Sequence, residues 1–287
     1  MKKILASILA VVLLGTMAIS GFAAEIVSGT AQEATNDEGS TAQVTPDGTA
    51  IITVSDEDAA DGIVDVPVTL WDGSDITAVL PEGVDDIDLV IPFTPETQKL
   101  GWGVVAYYVD ENGDEIVLDN TFTEDGKMVI FNVPADTVVT LENRAVKFDD
   151  VPEGAWYEKY LDYASAHGYI VGNGDGTVEP EAPIAAAALY ADILRVNHAG
   201  EDTVGEDWAA NAIAAAVEAN FATGATGDLN RQQAIDIVSA FIGEDAVEAG
   251  IFIGDENAEL DPEGDFIRAH LAVISMRLVE FLNGYNK

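Results

Sequence analysis

An internal repeat in the second half of the chain most constrains how it folds. Residues 168–195 align without a gap on residues 250–277, at an offset of 82 positions. The identical pairs include Gly168 with Gly250, Gly172 with Gly254, Pro180 with Pro262, Leu189 with Leu271, and Arg195 with Arg277. A helix-length apolar run follows the proline in each copy. Such repeats indicate units that bury their apolar faces only against one another.

A shorter copy lies between these two. Trp208 corresponds to Trp156, Gly224 ends one helical pattern, and Asn230 is a predicted N-cap of the next helix. Each unit therefore reads as helix, glycine-rich loop, helix. We expect an all-α bundle over residues 147–287. Its three repeats are predicted at about 147–199, 200–242 and 243–283.

Residues 49–146 have the pattern of a β domain. Short β-branched and aromatic runs alternate there with turn residues such as Asp110–Gly113. The runs are 50–54, 63–70, 88–93, 103–109, 115–118, 128–131 and 137–141. Short strands at this spacing predict an antiparallel sandwich or barrel. The predicted fold is thus multidomain, with an all-β sandwich-like domain before an all-α three-repeat bundle.

The first residues of the chain have the layout of an export signal. Lys2 and Lys3 precede an apolar run over residues 4–17, and small residues follow at 20–24. The run is shorter than the ~20 residues that a membrane-spanning helix needs. We therefore predict a signal peptide over 1–24, secretion, and no transmembrane segment after cleavage.

The segment 25–48 is predicted to be a flexible acidic linker. It is rich in Thr, Ser, Gly, Asp, Glu and Gln and has few apolar residues. A segment of this composition buries too little apolar surface to offset the entropy lost on ordering.

Composition excludes several classes of function. With 12 Lys and Arg against 52 Asp and Glu, the net charge is −40, which argues against nucleic-acid binding. The absence of cysteine excludes disulfides, thiolate metal sites and a cysteine nucleophile. Asp-rich turns such as 56–58 and 110–115 lack the spacing of a calcium loop and are interpreted as solvated turns. No motif of a serine hydrolase or zinc protease occurs, so we predict a non-enzymatic protein without cofactor or metal.

The repeat units resemble S-layer homology (SLH) motifs. The first unit carries Phe148–Val151, Trp156–Tyr157 and Gly172–Gly176, and the third carries Gly250–Pro262. The resemblance extends over about residues 147–283. The segment 87–143 also resembles the small β domain that precedes SLH repeats in secreted Firmicutes proteins.

The resemblance implies cell-wall anchoring. SLH triplets form a three-pronged bundle whose grooves hold anionic secondary polymers linked to peptidoglycan. In the family, an arginine of a Thr-Arg-Ala-Glu signature begins each second helix and contacts an acidic sugar. Here the arginine slots hold Ala186, Arg231 and Arg268, and no copy keeps the glutamate. A guanidinium suits a carboxylate because it donates two parallel hydrogen bonds.

Each candidate residue has a structural alternative. Arg231 and Arg268 are candidate ligands of the wall polymer or surface ion pairs of little energetic value. Trp156 and Trp208 stack on a sugar ring or fill the edge of the core. We interpret Arg195 and Arg277 as structural, since cations late in a helix complement its dipole. His270 is interpreted as incidental.

The predicted function is noncovalent anchoring of a secreted surface protein to a peptidoglycan-linked secondary polysaccharide. Salt screens repulsion between this acidic chain and an anionic polymer beyond about 8 Å. Two variants stay open: a cationic, polyamine-modified peptidoglycan, and divalent cations that bridge two acidic surfaces. A further alternative is a degenerate SLH scaffold that presents a β domain to a glycan or a host surface.

Overall fold

The computed structural model describes residues 31–93, 102–200, 203, 205–223, 225, 227–254 and 260–285. The predicted signal peptide over 1–24 lies outside these residues. A β-rich region comes first and a helical region follows, as the sequence predicts. No helix in the described ranges combines the length and apolar character needed to cross a bilayer.

Strands dominate the first region. They are β1 (Gln32–Thr35), β2 (Thr41–Val44), β3 (Thr49–Thr53), β4 (Ile63–Asp65), β5 (Asp75–Val79), β6 (Asp86–Pro92), β7 (Val104–Val109), β8 (Glu115–Leu118), β9 (Asn120–Phe122), β10 (Lys127–Pro134) and β11 (Val138–Asn143). Side chains alternate between the core and the surface, as in β6, where Ile87, Leu89 and Ile91 are buried. All seven predicted runs contain strands, although the run 63–70 is a strand only over Ile63–Asp65.

The strands form two sheets. One has the order β1-β2-β3-β5-β11-β7-β8 and the other β4-β6-β10-β9. Most pairs are antiparallel, but β3 pairs with β5 and β4 pairs with β6 in parallel. The purely antiparallel prediction is therefore wrong for these two pairs. A short helix, α1 (Asp56–Asp61), connects β3 to β4, and Ser55 caps it.

The described part of the predicted linker is ordered as strands. β1 and β2 pair in register from Gln32 opposite Val44 to Thr35 opposite Thr41. β2 also pairs with β3, and Ala42 and Val44 are buried. The linker prediction is thus wrong for this part. Its error has a physical cause: a hairpin at the edge of a sheet is held by backbone hydrogen bonds and few apolar side chains.

The second region is helical. Its helices are α2 (Glu158–Ala166), α3 (Ala186–Val196), α4 (Trp208–Glu218), α5 (Arg231–Ile242) and α6 (Arg268–Leu282). In the first two copies a helix, α2 or α4, precedes the loop, whereas in the third a turn that begins at Asp245 takes its place. Each copy then turns through a residue of positive φ: Gly168 at 72°, Asn220 at 62° and Gly250 at 76°. The shared conformation gives the repeat its fixed register, since glycine and asparagine adopt it most readily.

Three segments from the three copies meet in a closed ring of backbone hydrogen bonds. The Ile184 N–H donates to Phe266 O at 3.2 Å, and the Phe266 N–H donates to Leu229 O at 2.9 Å. The Leu229 N–H donates to Ile184 O at 2.9 Å and so completes the ring. All three residues are buried. The ring joins the segments that precede α3, α5 and α6.

A buried polar junction connects the β-rich and helical regions. The Tyr163 hydroxyl on α2 donates to Asn120 O on β9 at 2.8 Å, and the Thr121 hydroxyl donates to Glu280 Oε1 on α6 at 2.7 Å. Trp102 stacks on Phe122 beside these bonds. Because their apolar side chains belong to one continuous core, the two regions pack directly on each other.

Candidate functional site

The three helix-start positions that the sequence analysis compared are structurally equivalent. Each donates its backbone N–H across to the preceding loop of another copy. The bonds are Ala186 to Gly227 O at 3.0 Å, Arg231 to Gly264 O at 2.9 Å, and Arg268 to Ala182 O at 3.0 Å. The ring therefore places the first residues of α3, α5 and α6 in corresponding positions around a common centre.

Arg231 reaches from the second copy to the loop of the third. Its Nη1 donates to Asp261 Oδ2 at 3.1 Å, with 29% of the Arg231 side chain exposed and 64% of the Asp261 side chain. A Cβ at Gly264 would lie 2.2 Å from Asp261 Oδ2, so the missing side chain makes room for this pair. The pair fixes one end of the guanidinium and leaves Nη2 turned elsewhere.

That second nitrogen faces His270, on the first turn of α6. Arg231 Nη2 lies 3.5 Å from His270 Nε2, and the Ile267 N–H lies 3.3 Å from His270 Nδ1. Burial, followed by the charge of Arg231, lowers the pKa of His270 to about 4. The imidazole is therefore neutral near pH 7. His270 occupies the slot of the missing glutamate, where it lies beside both Arg231 and the backbone start of α6.

Trp156 lies on the other side of this histidine. Its ring centroid is 5.9 Å from that of His270, and 55% of the residue is exposed. The Tyr157 ring supports the indole edge-on at 5.3 Å and is itself buried. Residues of all three copies thus lie next to one another. We name the set of Trp156, Arg231, Asp261 and His270 the Arg231 groove.

Arg268 occupies the corresponding position in the third copy and has different partners. Its Nη1 donates to Val178 O at 3.0 Å and to Asn173 Oδ1 at 3.2 Å, both on the loop of the first copy. No carboxylate in the described residues forms an ion pair with it. The guanidinium is held by neutral acceptors.

Trp208 is placed differently from Trp156. It begins α4 and is half-buried against the apolar core, and no ring contact to it is found within the described ranges. The two tryptophans therefore differ in how much of the indole they present to solvent. The geometry of Trp208 fits the edge of the core, whereas that of Trp156 fits an open surface.

The first slot has no cation. Ala186 is 3% exposed, and Ala188 stands where the second copy has Gln233. In that second copy Asn230 and Gln233 form a reciprocal capping box at 2.9 and 3.0 Å, which confirms Asn230 as the predicted N-cap. The three grooves are thus alike in backbone and different in chemistry.

A comparison with known families identifies the first of these units. The family model of the S-layer homology domain matches residues 147–184. The chain carries an S-layer homology domain. The match ends at Ile184, the residue that begins the hydrogen-bonded ring, so it covers the first unit up to the start of its second helix. No curated protein matches the chain.

The predicted resemblance to the S-layer homology family is thereby confirmed at residues 147–184. S-layer homology domains are cell-wall binding modules rather than catalytic ones. The domain associates this chain with the cell surface or cell wall.

Arg195 and Arg277 hold the helical region together through hydrogen bonds to backbone carbonyls. Arg195 Nη1 donates to Tyr169 O at 2.8 Å, and Arg277 Nη1 donates to the equivalent Ile251 O at 3.1 Å. Arg195 also donates to the hydroxyl and the carbonyl of Thr203, at 2.9 and 2.6 Å. Both arginines therefore have structural contacts, as predicted. The acceptors Tyr169 O and Ile251 O follow α2 in the first copy and the turn that begins at Asp245 in the third.

The acidic turns use their carboxylates locally. Asp110 Oδ1 accepts from the backbone N–H groups of Asn112 and Asp114 at 2.8 and 2.9 Å, and these bonds lower the pKa of Asp110. Among the described residues no cluster of His, Asp and Glu is arranged to hold a metal ion. The turn at Asp110 has the geometry of a self-bonded Asx turn.

Proposed function

We propose that this protein anchors itself noncovalently to the cell wall by binding a peptidoglycan-linked secondary polysaccharide at Arg231 and Arg268, with Trp156 and Trp208 as further contacts. The observation that carries the proposal is the Arg231 groove, where an imidazole lies between a guanidinium and an exposed indole. The ligand that suits these groups is an acidic sugar of the polymer. Such a sugar offers a carboxylate to the guanidinium and a ring face to the indole.

The proposal includes the finer architecture. The units over 147–199, 200–242 and 243–283 act as one SLH triplet, and the equivalent helix starts around the ring support this assignment. The groove at Ala186 has no cation and contributes little to binding. The protein reaches the wall after cleavage of the signal peptide over 1–24, and its two sheets form a sandwich that the triplet carries.

The high negative charge does not prevent such binding. Charges separated by more than about 8 Å are largely screened at physiological salt, so the local cations dominate once the polymer is in contact. Backbone hydrogen bonds to a neighbouring copy hold both arginines at the first position of their helices, from Arg231 to Gly264 O and from Arg268 to Ala182 O. A preordered guanidinium loses less entropy on binding than a free one.

Co-sedimentation tests the proposal. The full chain is mixed with purified wall sacculi before and after removal of the secondary polymer, beside the double variant Arg231→Ala/Arg268→Ala. We expect pelleting of the wild type that is lost on removal of the polymer and lost in the double variant. Failure of the wild type to pellet with any sacculus contradicts the proposal.

The same assay separates the alternative. Pelleting that the double variant retains would move the binding to the β-rich region or to another face of the helical region. Pelleting that is lost with a chelator would indicate cations that bridge two acidic surfaces. Pelleting that declines steadily with salt and survives removal of the secondary polymer would indicate a cationic peptidoglycan.

A further inference from the structure

The chain has three Asn-Gly pairs, at residues 112–113, 173–174 and 283–284. Asparagine is chemically labile, and most labile where glycine follows, because glycine has no Cβ to crowd the reacting groups. The reaction begins when the backbone nitrogen of the glycine attacks the side-chain carbonyl carbon of the asparagine. Its rate therefore depends on the hydrogen bonds of that nitrogen and on how electrophilic the carbonyl carbon is.

In two of the pairs the glycine nitrogen is held by a hydrogen bond. The Gly113 N–H donates to Asp110 O at 3.1 Å, and the Gly284 N–H donates to Phe281 O at 3.0 Å. Each bond has to break before the nitrogen can attack. Losing one hydrogen bond slows such a reaction by roughly threefold to tenfold.

The third pair, Asn173 and Gly174, lies in the glycine-rich loop of the first copy and differs from both. No acceptor for the Gly174 N–H occurs among the described residues. Both residues are exposed, and a Cβ built on Gly174 would meet no atom within 4 Å. Solvent therefore reaches the nitrogen, and no hydrogen bond has to break before it attacks.

Arg268 activates the carbonyl group of the same asparagine. Its Nη1 donates to Asn173 Oδ1 at 3.2 Å, and Asn173 Nδ2 donates to Thr177 Oγ1 at 3.2 Å. A cation at the amide oxygen withdraws electron density from Cγ and stabilises the negative charge that develops on the oxygen during the attack. By contrast, Asn283 Oδ1 accepts from the neutral Asn132 amide at 3.2 Å.

We propose that Asn173 deamidates spontaneously in the folded protein and that the product carboxylate pairs with Arg268. The Gly174 nitrogen loses its proton to solvent and bonds to Asn173 Cγ. The Cγ–Nδ2 bond then breaks, and Nδ2 takes up a proton and leaves as ammonia. Water opens the resulting succinimide ring to aspartate or isoaspartate. Both products carry one more negative charge than the asparagine.

The modification would change the chemistry of one arginine slot. Arg268 is held by two neutral acceptors, Val178 O and Asn173 Oδ1. A carboxylate in place of the amide forms a charge-assisted hydrogen bond to the guanidinium and competes there with an anionic polymer. Binding through Arg268 should therefore weaken as the protein ages. This consequence rests on the proposed wall binding, whereas the modification itself does not.

Peptide mapping by mass spectrometry tests the modification in the full chain, aged at neutral pH. An NH₂ group is exchanged for OH, so each modified peptide gains one dalton. We expect position 173 to react at least about threefold faster than positions 112 and 283, and the three rates to converge in urea. Equal rates in the folded chain would overturn the proposal. A lead of position 173 that persists in urea would assign it to local sequence and overturn the role of the fold.

The variant Arg268→Ala tests the activation of the carbonyl group. It removes the cation from Asn173 Oδ1 and should slow the reaction at position 173 about threefold or more. The rate at Asn112 in the same molecule is the internal standard and should not change. A rate at position 173 that is unchanged or faster would refute activation by the guanidinium.

A matched pair of variants tests the effect on binding. Asn173→Asp has the product carboxylate, whereas Asn173→Gln keeps an amide that reacts far more slowly, because its attack would close a six-membered ring. We expect Asn173→Asp to bind sacculi about threefold more weakly than Asn173→Gln, and this difference to vanish when both carry Arg268→Ala. Equal binding of the two variants would overturn the effect on Arg268. If the wild type fails to pellet with any sacculus, the proposed wall binding fails, while the mass measurement still decides the modification.

Discussion

The three copies are alike at the centre of the helical region and differ in the grooves at its surface. At the centre, Ile184, Leu229 and Phe266 make the same backbone bonds although their side chains differ. At the surface, the equivalent slots hold alanine in one copy and arginine in two. Backbone bonds tolerate any apolar side chain, whereas a binding site needs a particular one. A degenerate motif therefore loses its ligand contacts before it loses its fold.

At one buried position near the centre, the copies differ in polarity. Asp192 on α3 is 1% exposed, and its equivalents in the other copies are Ile237 and Ile274. Its Oδ1 accepts from the Ser275 hydroxyl at 2.8 Å, and its Oδ2 has no partner within the described structure. Burial raises the pKa of Asp192 to about 7. The first copy thus carries a polar group in a position that the others fill with isoleucine.

The largest expected effect concerns the framework. Arg195→Ala removes the bonds to Tyr169 and Thr203 and leaves their buried acceptors unpaired, so the free energy of unfolding should fall by about 3 kcal/mol. Urea unfolding followed by circular dichroism measures it. Arg277→Ala is the matched control and should lose about 1 kcal/mol. Equal losses would contradict the different bonding of the two arginines.

The buried carboxyl group of Asp192 should make the stability of the fold depend on pH. Because the pKa of Asp192 is higher in the folded than in the unfolded chain, ionisation costs stability as pH rises from about 4 to about 7. Asp192→Asn should therefore stabilise the protein by about 2 kcal/mol at pH 7.5 and have little effect at pH 4. Thermal unfolding across this range measures the difference, and a gain that is constant with pH would refute the assignment.

The two surviving arginine slots should differ in binding. Arg231 has Trp156 and His270 beside it, whereas the described partners of Arg268 are a carbonyl and an amide. Arg231→Ala should weaken sacculus binding about tenfold, or about 1.4 kcal/mol, and Arg268→Ala about threefold. Binding isotherms from co-sedimentation measure both. The reverse order would show that the second groove dominates.

The smallest expected effect concerns Asp261, the carboxylate that pairs with Arg231. Asp261→Asn keeps an oxygen acceptor for Arg231 Nη1 but removes a negative charge next to the ligand. Exposed ion pairs contribute about 0.2–1 kcal/mol, so an anionic polymer should bind about twofold tighter. The effect should vanish in 1 M salt, where the Debye length is about 3 Å. Weaker binding would mean that Asp261 orients the guanidinium through its charge.

The features that local sequence dictates could be predicted. The glycine and proline spacing gave the register of the first and third copies because positive-φ turns recur at Gly168 and Gly250, and that register made Ala186 and Arg268 equivalent helix starts, as the backbone bonds show. The strand runs were visible from β-branched residues. The hairpin β1–β2 was missed because its strands are short and polar, and their pairing is the main thing that orders them.

Features that depend on distant residues could not be predicted. The role of His270 comes from Trp156 and Arg231, which belong to two other copies and approach it only after the ring closes. The parallel pairs and the junction at Asn120 and Thr121 likewise join residues far apart in the chain. The absence of the glutamate was a usable signal, since a residue that replaces a capping partner inherits its position.

The closed ring also makes the fold of the helical region depend on residues from all three copies. Its bonds link residue 184 to residues 229 and 266, so the last acceptor is supplied 82 positions after the first donor. Closing loops of this length is slow compared with forming a helix. A partly emerged chain therefore carries the first S-layer homology unit without the neighbours that complete its grooves. The proposed attachment to the wall therefore requires folding of the whole helical region.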